Sequence, residues 1–465
     1  MIRTNRPAAA IALLVLCSPA TGWAQIAGPT PIEGNSPSVG RPTGVAPQVE
    51  SAVEDWAVHG QTTFVTQYHP RFRSAFRGPN SLSPKNQARE TFDLTLYGGL
   101  RPWQGAEIWV NPEIDQGFGL SNTFGVAGYP SGEAFKLGKS NPYARLQRVF
   151  LRQTIDLGGQ TERLAGGLNQ LAGSQSADRL VVTIGKFAIT DVFDTNSYAH
   201  DPRNDFLNWS IIDAGSFDYA GDAWGYSYGA VVEWYRDWWT IRSGLFNLPK
   251  VPGGTGLDTR FLDQYQFDQE FEARHELFGR PGKLKLLAFL SHGRMGRYDE
   301  ATALAAATGT PADSAAVRKP HDRAGFVLNL EQRVTDDLGV FARTGVSQGQ
   351  YETFAFTDIH KTVSLGLSLA GARWGRPQDT AGLAFAVNDA SNAAKRFFAA
   401  GGLGILIGDG MLVRSGPEKI VEAYYSFAAF RSARLSLDYQ FVANPAYNRD
   451  RGPVSILGLR VHAEL

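Results

Sequence analysis

The sequence predicts an all-β fold: a transmembrane antiparallel β-barrel of about 16 strands, with long extracellular loops and short periplasmic turns. Segments of about ten residues alternate between apolar and polar side chains, as strands between two unlike environments do. After the N-terminus, no stretch has the ~18 consecutive apolar residues that a membrane-spanning helix needs. The breaks between segments alternate between short and long, which is typical of outer-membrane barrels.

Composition excludes several other classes of protein. The chain has 465 residues, 45 basic and 45 acidic side chains, 51 Gly and one Cys. These values exclude a disordered tail, a collagen and a disulfide-rich scaffold. The absence of net positive charge argues against nucleic acid as a partner.

The first 52 residues are predicted to be separate from the barrel. Arg3 and Arg6 precede an apolar stretch, and small residues flank Trp23 where a signal peptidase reads them, so residues 1–24 are predicted to be a signal peptide cleaved near Ala24. Residues 25–52 are predicted to be a flexible leader rich in Pro and Gly. The barrel then occupies residues 53–465. Cleavage removes the cysteine, so closure of a sheet or a large core must hold the mature chain together.

Residues 434–441 show the strand pattern most clearly, because every second residue from Leu435 to Phe441 is apolar and the residues between them are polar. Strands of this kind are predicted at 57–67, 91–101, 105–113, 145–156, 178–187, 226–235, 237–246, 268–277, 282–292, 322–333, 337–347, 361–371, 379–388, 419–428, 431–442 and 454–465. An even number of strands lets the barrel close without an edge strand.

The segment 157–177 departs from this alternation of breaks. It stands where a short turn is expected, yet it is long and rich in Gly. We expect it to be a decorated periplasmic turn. At the opposite end of the barrel, the Ala-rich segment 300–317 is expected to be a mobile loop tip.

A soluble β-propeller or sandwich is the competing interpretation of the alternation, since periodicity alone does not tell which face meets water. Aromatic residues near strand ends favour the membrane barrel, because such residues form girdles at membrane interfaces. Examples are Trp103, Trp109, Tyr226, Trp238 and Trp374.

The sequence offers no convincing enzyme motif and no cofactor motif. Two GxSxG matches occur, but residues 230–234, which follow the first, are predicted strand, whereas a nucleophile elbow requires a helix there. The eight His show no metal-ligand spacing, and phosphate-loop and dinucleotide fingerprints are absent. We therefore predict neither catalysis nor a bound cofactor.

Charged residues share the polar faces of two neighbouring predicted strands. Glu107 and Glu113 lie on one face of strand 105–113, and Arg148 and Arg152 lie on one face of the next strand. A charge facing hydrocarbon costs up to about 2–4 kcal/mol at the bilayer midplane, so these faces are predicted to line a wet lumen. The four residues are candidate solute-binding residues of the wall.

The predicted loop 188–225 is both acidic and aromatic, with seven Asp and one Arg. We expect it to fold into the lumen as a constriction, where aromatic rings stack on sugars and charged groups bind hydroxyls. The alternatives are a packed extracellular cap and a Ca²⁺ site that stabilises the loop. The candidate binding residues of this loop are Asp201, Arg203, Asp205 and Trp209.

A series of short motifs from about residue 56 to the C-terminus resembles the carbohydrate-selective outer-membrane porins. The motifs are His59-Gly60-Gln61, Gly78-Pro79-Asn80-Ser81-Leu82, Arg89-Glu90-Thr91, Asp93-Leu94-Thr95-Leu96-Tyr97, Gly105-Ala106-Glu107, Gln116-Gly117-Phe118-Gly119-Leu120-Ser121-Asn122-Thr123, Pro130-Ser131-Gly132-Glu133-Ala134, Arg152-Gln153-Thr154-Ile155, Gly185-Lys186-Phe187, Asp201-Pro202-Arg203, Asn208-Trp209-Ser210, Asn444-Pro445-Ala446-Tyr447-Asn448 and Arg451-Gly452-Pro453.

The resemblance implies a barrel in the outer membrane of a Gram-negative bacterium, in contact with the membrane lipid. It also implies that mono- or oligosaccharides diffuse passively through the barrel and that the protein is often a homotrimer. Two other functions stay open. One is a cation-selective, metal-selective or general diffusion porin, suggested by the Asp-rich loop. The other is a secreted sugar-active β-protein with paired carboxylates.

Overall fold

The computed structural model describes residues 53–134, 138–355 and 357–465, so the predicted signal peptide and the predicted leader lie outside the described residues. Within these ranges sixteen antiparallel strands form one closed barrel, in which each strand pairs with its sequence neighbours and β1 pairs with β16. The strands are β1 (Trp56–His69), β2 (Gln87–Leu100), β3 (Ala106–Gly117), β4 (Lys139–Leu164), β5 (Gly173–Ala188), β6 (Tyr226–Arg236), β7 (Trp239–Asn247), β8 (Tyr265–Leu277), β9 (Arg280–Met295), β10 (Lys319–Arg333), β11 (Leu338–Ser347), β12 (Lys361–Gly371), β13 (Arg376–Asp389), β14 (Glu418–Phe430), β15 (Ala433–Ala443) and β16 (Val454–Glu464).

The sixteen predicted strands are confirmed, and their faces are divided as the alternation requires. Leu365 on β12 is 52% exposed on the outside, whereas its neighbour Ser364 is fully buried inside. On β10, Leu328 is exposed and Asn329 is buried. A single closed barrel with an apolar outer face contradicts the propeller and sandwich alternatives.

The predicted turn 157–177 is wrong as a turn, because most of it is strand. β4 continues to Leu164 and β5 begins at Gly173, which leaves only residues 165–172 between them. Positive φ angles at Gly158 and Gly159, together with register shifts in the same region, let this long hairpin bend away from its neighbours.

The two ends of the barrel differ. The short connections share one end, here called the turn end, and the long connections share the other, here called the loop end. Exposed aromatic residues lie in or beside most of the turn-end connections and at the start of β1, as in an interfacial girdle: Trp56, Trp103, Trp238, Phe278, Trp374 and Phe430. Two residues expected in such a girdle are buried instead, since Trp109 and Tyr226 face the inside of the barrel.

The long connections pack together into a cap over the loop end. It contains α2 (Tyr298–Thr308) and α3 (Asn392–Ala399), which contact each other through Tyr298 and Phe397 with ring centroids 5.0 Å apart. Ala301 and Ala305 of α2 are buried as well. The first part of the segment 300–317 is therefore packed into the cap through α2, whereas residues 306–311 are exposed.

The connection between β5 and β6, residues 189–225, lies inside the barrel. It contains the short helix α1 (Trp209–Ile212). Its atoms hydrogen-bond to inward-facing residues on opposite sides of the wall, among them Arg343 of β11 and Arg460 of β16. None of the helices in the described ranges is long and apolar enough to cross a bilayer.

Candidate functional site

A cavity of about 210 Å³ lies between the inner face of β2–β4 and the inward-folded connection 189–225. Its lining combines aromatic rings with charged groups of both signs. The wall contributes Tyr97, Glu113, Gln147 and Arg148. Connections and the start of β6 contribute Tyr129, Glu133, Leu168, Asn169, Asp191, Asp201, Arg203, Trp209, Trp224 and Tyr226.

Arg148 and Asp191 form a two-pronged ion pair at the edge of the cavity. Arg148 Nε and Nη2 donate to the two carboxylate oxygens of Asp191 at 2.7 and 2.6 Å. The guanidinium also lies over the Tyr226 ring, 5.0 Å from its centroid. A register shift between β3 and β4 at this point puts Gln147 in the lining beside Arg148, as bulges next to binding sites commonly do.

Arg203 lies among three carboxylates. Its guanidinium nitrogens are 3.7 Å from Asp93 and Glu113 and 3.6 Å from Glu133. Burial alone would lower the pKa of Arg203, but the carboxylates of Glu133 and Asp93 outweigh it and raise that pKa above its ordinary value. The side chain therefore stays charged, and distances near 3.7 Å leave the group without tight hydrogen bonds to these acids.

Aromatic rings form the apolar part of the lining. Trp209 stacks on Tyr129 with ring centroids 5.4 Å apart and an interplanar angle of 16°. On another side, the Arg145 guanidinium lies 3.5 Å from the centroid of the Trp224 ring. Flat rings beside hydrogen-bonding charges suit a ligand that has apolar faces and polar edges.

Carboxylates of the wall fix the backbone of the inward-folded connection. Glu422 of β14 accepts hydrogen bonds from the backbone N–H groups of Leu207 and Asn208 at 2.5 and 3.0 Å. Glu331 of β10 accepts from the N–H of Ser197 at 2.7 Å. Much of the charge that the sequence puts on inner faces thus holds protein segments rather than solute.

Five of the eight predicted site residues line the cavity. They are Glu113, Arg148, Asp201, Arg203 and Trp209. Asp205 is buried behind the lining, where its carboxylate accepts the backbone N–H groups of His200 and Asp201, both at 3.2 Å.

Glu107 and Arg152, the other two wall candidates, pair with each other outside the lining at 2.5 Å. Arg152 also donates to the carbonyl oxygen of Asn169, and the Trp109 indole N–H donates to Glu107 at 2.9 Å. Their charges are used to hold neighbouring segments of the chain.

Sequence reasoning missed several lining residues. For two of them the sequence contained a feature that could have identified them. Tyr97 follows Asp93 and Thr95 on the inner face of β2, so the alternation placed it inside. Glu133 belongs to one of the motifs on which the family resemblance rests. Asn169, by contrast, lies in the segment predicted to be a decorated periplasmic turn, to which no binding role was assigned.

The acidic residues of the inward-folded connection are largely paired with basic ones. The carboxylates of Asp191, Asp194, Asp218 and Asp222 lie 2.6, 3.1, 2.9 and 3.2 Å from Arg148, Arg343, Arg323 and Lys186. Across the described part of the chain, no group of three or more His, Cys, Asp or Glu is arranged to hold a metal ion.

Comparisons with solved structures show which barrels the fold is similar to. The high-pH structure of Pseudomonas putida OprB matches with a TM-score of 0.68 at 16% identity, covering 88% of this chain and 94% of that one. The outer-membrane channel DcaP of Acinetobacter baumannii matches with a TM-score of 0.49 at 11% identity, covering 88% of this chain and 97% of that one. No curated protein matches the sequence.

The family comparison agrees with the barrel, its apolar outer face and its polar cavity. Residues 79–465, which include nearly the whole barrel, match the carbohydrate-selective porin family, OprB. The chain therefore belongs to the OprB family of carbohydrate-selective porins.

Proposed function

We propose that saccharides cross the barrel passively through the cavity between β2–β4 and the connection 189–225. In this proposal the inward-folded connection narrows the lumen. The observation that carries this proposal is the cavity lining itself. Trp209 and Tyr129 supply flat rings, while Arg148, Arg203 and Glu113 supply charged hydrogen-bonding groups in the lining of the same cavity. Sugars have apolar faces, which match the aromatic rings, and hydroxyl edges, which match the charged hydrogen-bonding groups.

The paired charges favour a neutral solute over a simple ion. A cation-selective channel was suggested by the seven Asp of the connection, but four of those carboxylates have Arg or Lys partners within hydrogen-bonding or ion-pair distance. Pairing leaves little uncompensated negative field to attract cations. A general or ion-selective porin remains the competing function, and the experiment below separates the two.

The membrane and assembly assignments belong to the same proposal. The apolar outer face and the aromatic turn end support insertion into an outer membrane, with the turn end in the periplasm. Export would use the predicted signal peptide with cleavage near Ala24, and a homotrimer is the assembly that the family resemblance implies. The porin family and the barrel suggest a channel rather than an enzyme.

Single-channel conductance in a planar bilayer tests the proposal. Purified protein is inserted at fixed salt, and mono- and oligosaccharides are titrated on one side. We expect discrete current steps that fall saturably with sugar concentration. Steps without block, together with a strong reversal potential in a salt gradient, would establish the ion-selective porin instead.

A further inference from the structure

The β4–β5 hairpin extends beyond its neighbours at the turn end. β3 pairs with β4 only as far as Gln153, and β6 pairs with β5 only from Arg179 onwards. Between these two positions, the strands of the hairpin pair with each other, for example Thr161 with Ser176. Residues 155–177 therefore have no strand pairing with β3 or β6.

The tip of this hairpin, residues 165–172, turns back into the barrel. Gly167 and Gln170 close the tip through two backbone hydrogen bonds of 2.9 and 3.1 Å. Asn111, on the inner face of β3, donates to the side-chain oxygen of Asn169 at 2.8 Å, and Arg152 donates to the Asn169 carbonyl oxygen at 2.5 Å. Because Asn111 and Arg152 point inward from the wall, the tip lies inside the barrel.

The other side of the tip is held at the rim of the turn end. Glu54 accepts a hydrogen bond from the backbone N–H of Ala172 at 2.7 Å, and Arg101 donates to the Ala172 carbonyl oxygen at 3.1 Å. Leu171 and Ala172 are both fully buried. The tip is thus fixed from two directions and is a packed part of the structure.

We propose that the tip forms the floor of the cavity, and that Leu168 and Asn169 determine what leaves the cavity towards the turn end. Both residues line the cavity, although the rest of its lining comes from the wall and from connections at the loop end. The floor presents one amide and one aliphatic side chain, which again suits a neutral polar solute better than an ion. This inference rests on the proposed function, since it assigns an exit to the same path.

Shortening the hairpin tests the floor directly. Replacing residues 162–175 with Asn-Gly leaves a two-residue turn between the paired Thr161 and Ser176, which is the favoured turn chemistry for a hairpin. We expect the single-channel conductance to rise about twofold or more, because a constriction in series with the pore is removed. Unchanged conductance of the inserted, folded variant would overturn the proposal.

Point variants test it without removing the hairpin. Asn169 has a φ of +56°, so Asn169→Gly keeps the backbone while removing the side chain, and Asn169→Asp keeps the acceptor for Asn111 while adding a charge. We expect higher conductance from the first variant and a reversal potential shifted towards cations from the second.

Gln170 provides the matched control, because its side chain donates to the Ala165 carbonyl oxygen and is not part of the lining. Gln170→Asp should leave the reversal potential unchanged. If Gln170→Asp and Asn169→Asp shift it equally, position 169 has no special place in the path and the proposal fails.

These measurements are made without sugar. If sugar does not block the wild-type channel, the proposed function is contradicted and the role of the hairpin is not. If the hairpin variants do not change the conductance, the proposal that the tip forms the floor of the cavity is contradicted and the proposed function is not.

Discussion

Arg148 and Asp191 are joined by two hydrogen bonds of 2.7 and 2.6 Å that link the barrel wall to the connection folded inside it. Arg148→Ala removes this link and a donor that faces the cavity. A hydrogen bond to a charged group contributes about 1.5–3 kcal/mol, so the sugar concentration for half-block should rise about tenfold or more. The exposed Arg373 at the turn end is the control, since Arg373→Ala should leave the block unchanged.

Asp191→Asn supplies the complementary result. It leaves the positive charge of Arg148 uncompensated in the lining, so the reversal potential should shift towards anions, whereas Arg148→Ala should shift it towards cations. Unchanged reversal potentials in both variants would show that the pair does not face the conducting path.

Trp209→Ala is expected to weaken sugar block by about threefold to tenfold, because a stacked aromatic pair contributes about 0.5–1.5 kcal/mol beyond area burial. Trp209→Phe, which keeps a ring against Tyr129, should retain part of the block. The measurement is a titration of channel current with sugar. Trp238→Ala, at an exposed site of the turn end, serves as the control and should leave the block unchanged. If sugar blocks the Trp209→Ala channel as it blocks the wild type, the sugar binds elsewhere.

Glu422→Ala should loosen the inward-folded connection, since it removes the acceptor for two backbone N–H groups, those of Leu207 and Asn208. Each unsatisfied buried donor costs about 1–3 kcal/mol. We expect larger fluctuations of the open-channel current and faster amide hydrogen exchange at residues 207 and 208. Glu276→Ala, at an exposed site of the turn end, should show neither effect.

The cap at the loop end contains two buried groups whose responses to acid oppose each other. Burial, helped by the positive charge of Arg323, lowers the pKa of His360 to about 3. His360 is therefore neutral in the folded cap, while an unfolded His takes up a proton below about pH 6.5. The neutral His360 therefore contributes its full stabilisation of the folded cap above about pH 6.5. Acidification from pH 7 to pH 5 lowers the stability of the cap by about 2 kcal/mol, because the unfolded chain takes up a proton that the folded cap does not.

Asp358 acts in the opposite direction, because burial raises its pKa to about 6. It takes up a proton in the folded cap before it would in the unfolded chain, so acidification through pH 6 stabilises the cap by about 1 kcal/mol. Asp358→Asn should therefore make the cap more sensitive to acid, and His360→Gln less so. Hydrogen exchange of the Leu406 amide, which is bonded to Asp358, at pH 7 and pH 5 measures both.

The strands could be predicted from the sequence because each meets lipid on one face and polar groups on the other. The contrast between Ser364 and Leu365 is repeated along nearly every strand. The expectation of a girdle failed for Trp109 and Tyr226, since an aromatic ring near a strand end suits a membrane interface and a packed lumen equally well. For Trp109 the alternation decides between them, because Trp109 stands two residues after Glu107 on the inner face of β3.

Sequence reasoning placed Arg148 in the lining through the inner face of its strand, and Arg203 and Trp209 through the acidic and aromatic composition of their connection. It did not predict that Glu107 and Arg152 lie outside the lining, because they pair with each other across β3 and β4, and Arg152 also donates to Asn169. Arg152 meets Asn169, whose position follows from a hairpin that bends away from the wall. In the same way, buried Ala301 and Ala305 give α2 a contact face that Ala-rich composition does not reveal.

Pairing of β1 with β16 brings together Thr63 and His462, which are 399 residues apart in the chain. During biosynthesis β1 therefore exists long before the strand that completes it. Until then its backbone N–H and C=O groups form an open edge, and the apolar outer face of the growing sheet is exposed to water. The last closure event, rather than any local hairpin, should limit the rate of assembly, and a holding chaperone would be needed to keep the waiting chain from aggregating.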